Sequence, residues 1–291
     1  MIKTTFIPDW LKVLPQYLIP QHFLSRLLFY ATRFRWRPWK DLLISSFIRF
    51  YRVDMDSAAD PDYHHYHSFN HFFTRELKAG CRSIAKGRDA IASPVDGTIS
   101  QLGVITDTDI FQAKGRRFSL GSLLAGDDAL TERFRNGHFA TLYLSPKDYH
   151  RIHMPVDGRL TRMMYVPGRL FAVNQAATRG IDQLFSRNER IINLFDTAVG
   201  NMAVITIGAL FVGSMETVWG GRVTPAGRQI TDRNYLQGNE DIALNKGEEL
   251  GRFNMGSTVI LLFEAGRIQW LNELTAEMPI VMGQAIGKIV I

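Results

Sequence analysis

Asn245-Lys246-Gly247-Glu248-Glu249-Leu250-Gly251-Arg252-Phe253-Asn254-Met255-Gly256-Ser257-Thr258-Val259-Ile260-Leu261-Leu262-Phe263 passes from polar to wholly apolar across one Gly-Ser pair. Glycine permits positive φ or a close backbone approach, and β-branched and large apolar side chains suit a covered sheet. The stretch therefore predicts a tight turn entering a buried strand. A turn with an idle serine is its plain reading, and the rest of the chain decides whether Ser257 does more.

Outward from this strand, short β-like runs recur between Gly, Pro and Asp. They are Gly97 to Gly103, His138 to Leu144, Arg159 to Val166 and Met202 to Gly213. Their spacing predicts an α+β fold with a mostly antiparallel β core, barrel- or sandwich-like. Thr197 to Met215 is uncharged and nearly long enough to span a bilayer. Its Val-Ile-Thr-Ile centre, glycines and Asn201 read as two buried strands. Ser119 to Ala125 and Asn174 to Ala177 suit short helices.

The 291 residues, 46% apolar and 21% charged, are enough for a full core, and the lone Cys81 excludes an internal disulfide and a cysteine-based zinc cluster. The net charge of +6 is uneven: residues 1–53 hold nine Lys and Arg against two Asp. One basic end on a neutral body points to an anionic surface. In that end Leu24, Leu27, Leu28, Ala31 and Phe34 follow helical spacing, and residues 42–52 repeat the pattern with Ser45, Ser46, Arg49 and Arg52 on a polar face. Pro15, Pro20 and Pro38 are expected to break it into short pieces. Basic amphipathic helices with aromatics on the other face suit a membrane interface, and packing on the body is the alternative. Nucleic acid is disfavoured, because these aromatics lie among Leu and Ile rather than in a polar groove. The chain divides into a basic amphipathic region 1–53, a connector 54–90 and a β-rich domain 91–291. In the connector, His64, His65, His67 and His71 lack a completing set of Asp, Glu or Cys, and read as solvated loop histidines rather than metal ligands.

Three places carry residues of chemical interest. Asp96 lies in Ser93-Pro94-Val95-Asp96-Gly97, which reads equally as an Asp-Gly turn. His150 and His153 lie in Leu144 to Pro155, where one helical turn puts them on one face as a base and a neighbouring proton donor. Ser257 is the third. Asp, His and Ser in this order are the ingredients of a charge relay, although the Gly-x-Ser-x-Gly elbow is absent. On spacing alone, a membrane-associated serine hydrolase using Asp96, His153 and Ser257 and a non-catalytic lipid-binding β module both stay open.

Taken together, these segments resemble the bacterial, pyruvoyl-dependent phosphatidylserine decarboxylases. Met255-Gly256-Ser257-Thr258 is similar to the family's Leu-Gly-Ser-Thr processing motif. Pro94-Val95-Asp96-Gly97, Phe111-Gln112-Ala113-Lys114-Gly115 and Tyr149-His150-Arg151-Ile152-His153-Met154-Pro155 resemble its other signatures. So do Pro167 to Asn174, Arg187-Asn188-Glu189-Arg190 and Val212 to Trp219. The resemblance implies a zymogen that cuts itself between Gly256 and Ser257 into a β chain, 1–256, and an α chain, 257–291. In that scheme His153 is the base on Ser257, Asp96 orients it, and Ser257 becomes a covalent pyruvoyl group that takes the substrate amine as a Schiff base. His150 matches the histidine of the decarboxylation step. Pyridoxal phosphate and metals are not implied. The implied partners are phosphatidylserine in an anionic membrane and the two chains of the protein itself, as a homodimer of processed heterodimers. The implied location is peripheral, on the cytoplasmic face of the inner membrane.

Overall fold

The computed structural model describes residues 9–290 apart from 114, 212, 213, 225, 238 and 239. Lys3 and Phe6 of the basic end, Lys114, and Val212-Gly213 of the long apolar stretch lie outside the described residues.

Thr258–Phe263 is the centre of the largest sheet. It pairs antiparallel with Gly200–Ile207 on one side and His138–Tyr143 on the other, with Thr258 opposite both Ile207 and Tyr143. All six residues are buried, and from Val259 onward the strand is one continuous apolar run. The sheet continues on one side through Arg190–Thr197 and Gly158–Val166 to Thr231–Asn234. On the other it continues through Gly97–Val104 to Pro279–Ile280, and Ala243–Leu244 as the ninth strand also pairs with Gly158–Val166. The α+β, antiparallel expectation holds. Among the described residues no pairing joins the two edges, so the barrel form of that expectation does not. One edge ends in a two-residue strand that begins at Pro279, which has no N–H to continue the ladder.

Besides the two-stranded pair Asp109–Ala113 and Arg116–Ser119, two smaller sheets accompany the large one. In one, Gly221–Arg222, Met215–Thr217, Glu249–Phe253 and Arg151–His153 lie side by side; in the other, Ala285–Ile289 lies between Ala90–Ala92 and Ile268–Trp270. The apolar stretch from Thr197 contains the strand Gly200–Ile207 and, after a turn, reaches Met215–Thr217. The two short helices form as the sequence suggests, Leu120–Leu123 capped by Ser119 and Gln175–Gly180 capped by Asn174.

The basic end forms α1 (Asp9–Leu18), α2 (Gln21–Arg33) and α3 (Arg37–Tyr51). Pro38 sits in the first turn of α3, where its missing N–H costs nothing. Pro15, expected as a break, lies inside α1. Packing holds that helix together: Val13 is buried, and a side chain on Gly180 would come within 2.8 Å of Val13 Cγ2. The connector is more than a link. Its helix α4 (Phe69–Phe73) joins α3 in a second core of Ile44, Val53, Tyr66, Phe69, Phe72 and Phe73, and Met255 packs against both this core and the main one.

Candidate active site

Gly256 and Ser257 lie between the end of Glu249–Phe253 and the start of the central strand. The junction is held from several sides. Asn254 N donates to Ser214 O (3.0 Å), and its side-chain amide donates to Ser214 Oγ (2.8 Å) and Glu216 Oε1 (3.0 Å). From α4, Asn70 Nδ2 donates to Asn254 O (3.1 Å) and Oδ1 (3.0 Å). Leu144 N donates to Ser257 O at 2.8 Å, which extends the sheet ladder to the serine itself. The Ser257 side chain is fully buried, and its hydroxyl donates to Ile207 O.

The imidazole beside this junction belongs to His150. A methyl group on Gly256 would stand 3.4 Å from both Cε1 and Nε2 of His150 and 3.2 Å from Leu144 O. Gly256 is not in the left-handed region, so the glycine is required here for space rather than for its backbone freedom. Gly256→Ala is expected to lower stability by about 1 kcal/mol through overpacking, read from denaturant unfolding. His150 cannot easily give way, because its ring is stacked on Phe73 with centroids 4.1 Å apart and is wholly buried. Neither ring nitrogen has a hydrogen-bond partner among the described residues. Burial, reinforced by the Arg75 guanidinium, holds the His150 pKa well below the usual histidine value, so the ring is neutral. A neutral imidazole with both nitrogens unengaged can accept a proton at one and donate at the other.

His153 lies on a different face. Residues 151–153 are extended, so the helical turn expected for His150 and His153 is not formed, and a spacing of three points the two rings to opposite sides. His153 Nδ1 lies 2.8 Å from Gly247 O and Nε2 lies 2.9 Å from Tyr149 Oη. A carbonyl only accepts, so Nδ1 carries the proton and Nε2 takes the Tyr149 hydroxyl hydrogen. Burial lowers the His153 pKa, while the Gly247 hydrogen bond, Glu249 and Asp96 partly offset it.

Asp96 does not touch His153. Its carboxylate accepts from Arg82 Nε (3.1 Å) and Nη2 (2.5 Å) and from Met282 N (2.7 Å). The Asp96, His153 and Ser257 side chains thus form no hydrogen-bonded relay in this chain. The His153 N–H donates to Pro94 O, two residues before Asp96, at 2.8 Å. Of the histidines of residues 64–71, His65 meets Asp60 at 2.9 Å and His64 meets Asp41 at 3.3 Å, while His67 stacks on His71 at the edge of a cavity beside Asn254.

Beside Asn254 opens a cavity of about 370 Å³ walled by Arg33, Arg35, His71, Glu216 and Arg252. It adjoins the junction through Asn254, and three arginines line it against one carboxylate. The profile of the phosphatidylserine decarboxylase family matches residues 69–288, and a second profile, described as PSD, matches residues 11–52. The chain belongs to the phosphatidylserine decarboxylase family. It is 53% identical over 274 residues to the phosphatidylserine decarboxylase proenzyme of Methylococcus capsulatus, covering 94% of each chain. Against the proenzyme of Nitrosococcus oceani it is 50% identical over 282 residues, covering 97% of this chain and 92% of that one. The proenzyme of Saccharophagus degradans is 49% identical over 283 residues.

Within this family frame, sequence reasoning picked out Asp96, His150, His153 and Ser257 but passed over Asn70, Phe73, Ser214 and Asn254. Asn254 sat two residues before Gly256, in the very stretch quoted first. Phe69-Asn70-His71-Phe72-Phe73 is an aromatic run in a segment otherwise polar enough to pass for a linker. That run was the available signal for a packed helix over the site.

Proposed function

We propose that the chain is a zymogen that cuts itself between Gly256 and Ser257 and then decarboxylates phosphatidylserine to phosphatidylethanolamine and CO2. The observation that carries the proposal is the unpartnered, buried His150 ring beside the Gly256-Ser257 bond at the head of the central strand. The Ser257 hydroxyl attacks the Gly256 carbonyl carbon and the peptide nitrogen leaves as an amine, giving an ester. Loss of the Ser257 α-proton expels the Gly256 carboxylate. Tautomerisation and attack by water then release ammonia and leave a pyruvoyl group at residue 257.

For the first step we assign the proton to His153 Nε2, whose tautomer is already that of a base; Tyr149 must release it first. Asp96 favours the resulting imidazolium through its charge, which acts on His153 without contact. The surroundings of residue 257 fit the group, because they are closed to solvent and place a free imidazole at the reacting end. A pyruvoyl carbonyl supplies an electron sink for the pair released with CO2. His150 then hands a proton to the substrate α-carbon. The cavity beside Asn254 takes the head group, with Arg33, Arg35 and Arg252 facing its anionic groups.

Docking on the substrate's membrane falls to the first three helices. Leu14, Leu18, Phe23, Leu27, Phe34, Trp36, Leu42 and Phe50 are all more than half exposed there, among basic residues. Such faces lie in a bilayer interface, and we place the enzyme peripherally on the cytoplasmic face of the inner membrane. Among the described residues no helix is long and apolar enough to cross a membrane. The relatives that match this chain are named phosphatidylserine decarboxylase proenzymes, which favours this reading over a serine hydrolase.

Mass spectrometry tests the proposal. Under denaturing conditions the active protein should give two chains, 1–256 and 257–291, the smaller bearing a carbonyl in place of its amino terminus. Under native conditions the two should travel together. The central strand comes from the small chain, and burying Val259, Ile260, Leu261, Leu262 and Phe263 is worth on the order of 10 kcal/mol. One uncut 33.1 kDa chain in fully active protein would overturn it.

A further inference from the structure

A second and larger cavity, of about 1010 Å³, opens between α2 and the body and shares no lining residue with the head-group cavity. Arg33 of the first cavity and Arg222 of the second both face the Phe29 ring, at 3.6 and 5.4 Å. Five arginines line this cleft: Arg26 from α2, and Arg169, Arg187, Arg222 and Arg228 from the body. Its one lining carboxylate is Glu189, which is buried at the floor. Burial pushes Glu189 up to about 7, so near neutral pH it carries only part of a negative charge against five arginines.

Three of these cations are uncommitted. The side chains of Arg26, Arg169 and Arg228 make no hydrogen bond or ion pair among the described residues, whereas Arg82, Arg151 and Arg162 elsewhere all meet carboxylates. Converging cations repel one another unless an anion lies among them. Guanidinium forks suit phosphate oxygens, which they bind with two parallel hydrogen bonds. The rim adds a second character. Tyr30 lines the cleft and is 61% exposed, and it lies in the exposed apolar stripe of α2 with Phe23 and Leu27. An anionic, oxygen-rich group that enters here therefore does so beside a surface suited to acyl chains.

We propose that this cleft is a second lipid site, which holds the phosphodiester of an anionic glycerophospholipid without reacting with it. The occupant is a bilayer lipid, because a free anion has no use for the apolar rim and a zwitterionic head group brings its own cation to the arginines. The site differs from general attraction between a basic helix and a charged surface. Four of its five arginines come from the body, and its binding is stoichiometric and saturable.

Titration calorimetry on the processed full-length protein tests this, using short-chain phosphatidylglycerol kept below its micelle concentration. One lipid should bind per protomer. Short-chain phosphatidylcholine and inorganic phosphate alone should bind at least about tenfold more weakly, the first lacking net charge and the second lacking apolar contacts. The double variant Arg169→Gln/Arg228→Gln should weaken phosphatidylglycerol binding about tenfold or more, while its two-chain mass pattern and melting temperature stay those of the parent. Equal binding of phosphatidylcholine, or unchanged binding by the double variant, overturns the proposal. A rise in KM for phosphatidylserine with unchanged phosphatidylglycerol binding also overturns it, because the cleft is then part of the reacting site. Self-cleavage is scored separately by the mass pattern, so failure of the catalytic reading shows up on its own.

Discussion

Ser257→Ala is expected to yield a full-length chain of 33.1 kDa on a denaturing gel, with no measurable release of CO2 from phosphatidylserine. Both outcomes follow from one atom. Oγ is the nucleophile that opens the Gly256 carbonyl, and without it there is no ester, no elimination and no carbonyl at residue 257. The expected effect is complete loss rather than a reduction, since the change removes the source of the reactive group rather than a residue that tunes it.

The same variant should remain folded, which makes its result interpretable. Ser257 gives up one hydrogen bond, from its hydroxyl to Ile207 O, while Leu144 N still meets the carbonyl of residue 257. A lost neutral hydrogen bond costs about 1 kcal/mol, small against the burial of the strand that follows. Circular dichroism and the unfolding midpoint should therefore lie close to those of the parent. An Ser257→Ala chain that is cut or still active would refute the assignment. If it is uncut but hydrolyses an ester substrate, the chemistry belongs to another nucleophile.

The comparison of sequence with structure separates local from long-range information. The buried strand after Ser257 was legible because Val259 to Phe263 carries no polar residue, and only a strand covered on both faces tolerates that. The helices α2 and α3 were legible from apolar spacing at three and four residues. Pro15 misled because its helix is held by packing of Val13 on Gly180, a contact between residues far apart in the chain. The pairing of His150 with His153 misled for a related reason. Spacing by three puts two side chains together on a helix and apart on a strand, and the choice here is made by the neighbouring strand Glu249–Phe253. Asp96 could be named from its turn, but its capture by Arg82 and by the N–H of Met282 depends on segments that meet it only in the fold.

His150→Gln is the second change with a large expected effect, and it should separate the two halves of the chemistry. We expect both chains to form and decarboxylation to fall about 100- to 10,000-fold, the range associated with losing a general acid or base. Glutamine keeps a polar group and much of the ring's bulk under Phe73, whereas alanine would open a cavity between the two cores and blur the result. The wild-type pH profile carries a further expectation. Burial and Arg75 favour the neutral form of His150, so its folded pKa lies well below the ordinary value and the ring stays neutral as pH falls through 6.5. A limb of the rate profile near 6.5 therefore belongs to another group. His153→Gln should behave in the opposite way, accumulating uncut chain, because its Nε2 serves the cleavage step. Parental turnover by a fully processed His150→Gln protein would remove His150 from the reaction, and normal cleavage in His153→Gln would pass the role of base to the imidazole beside Gly256.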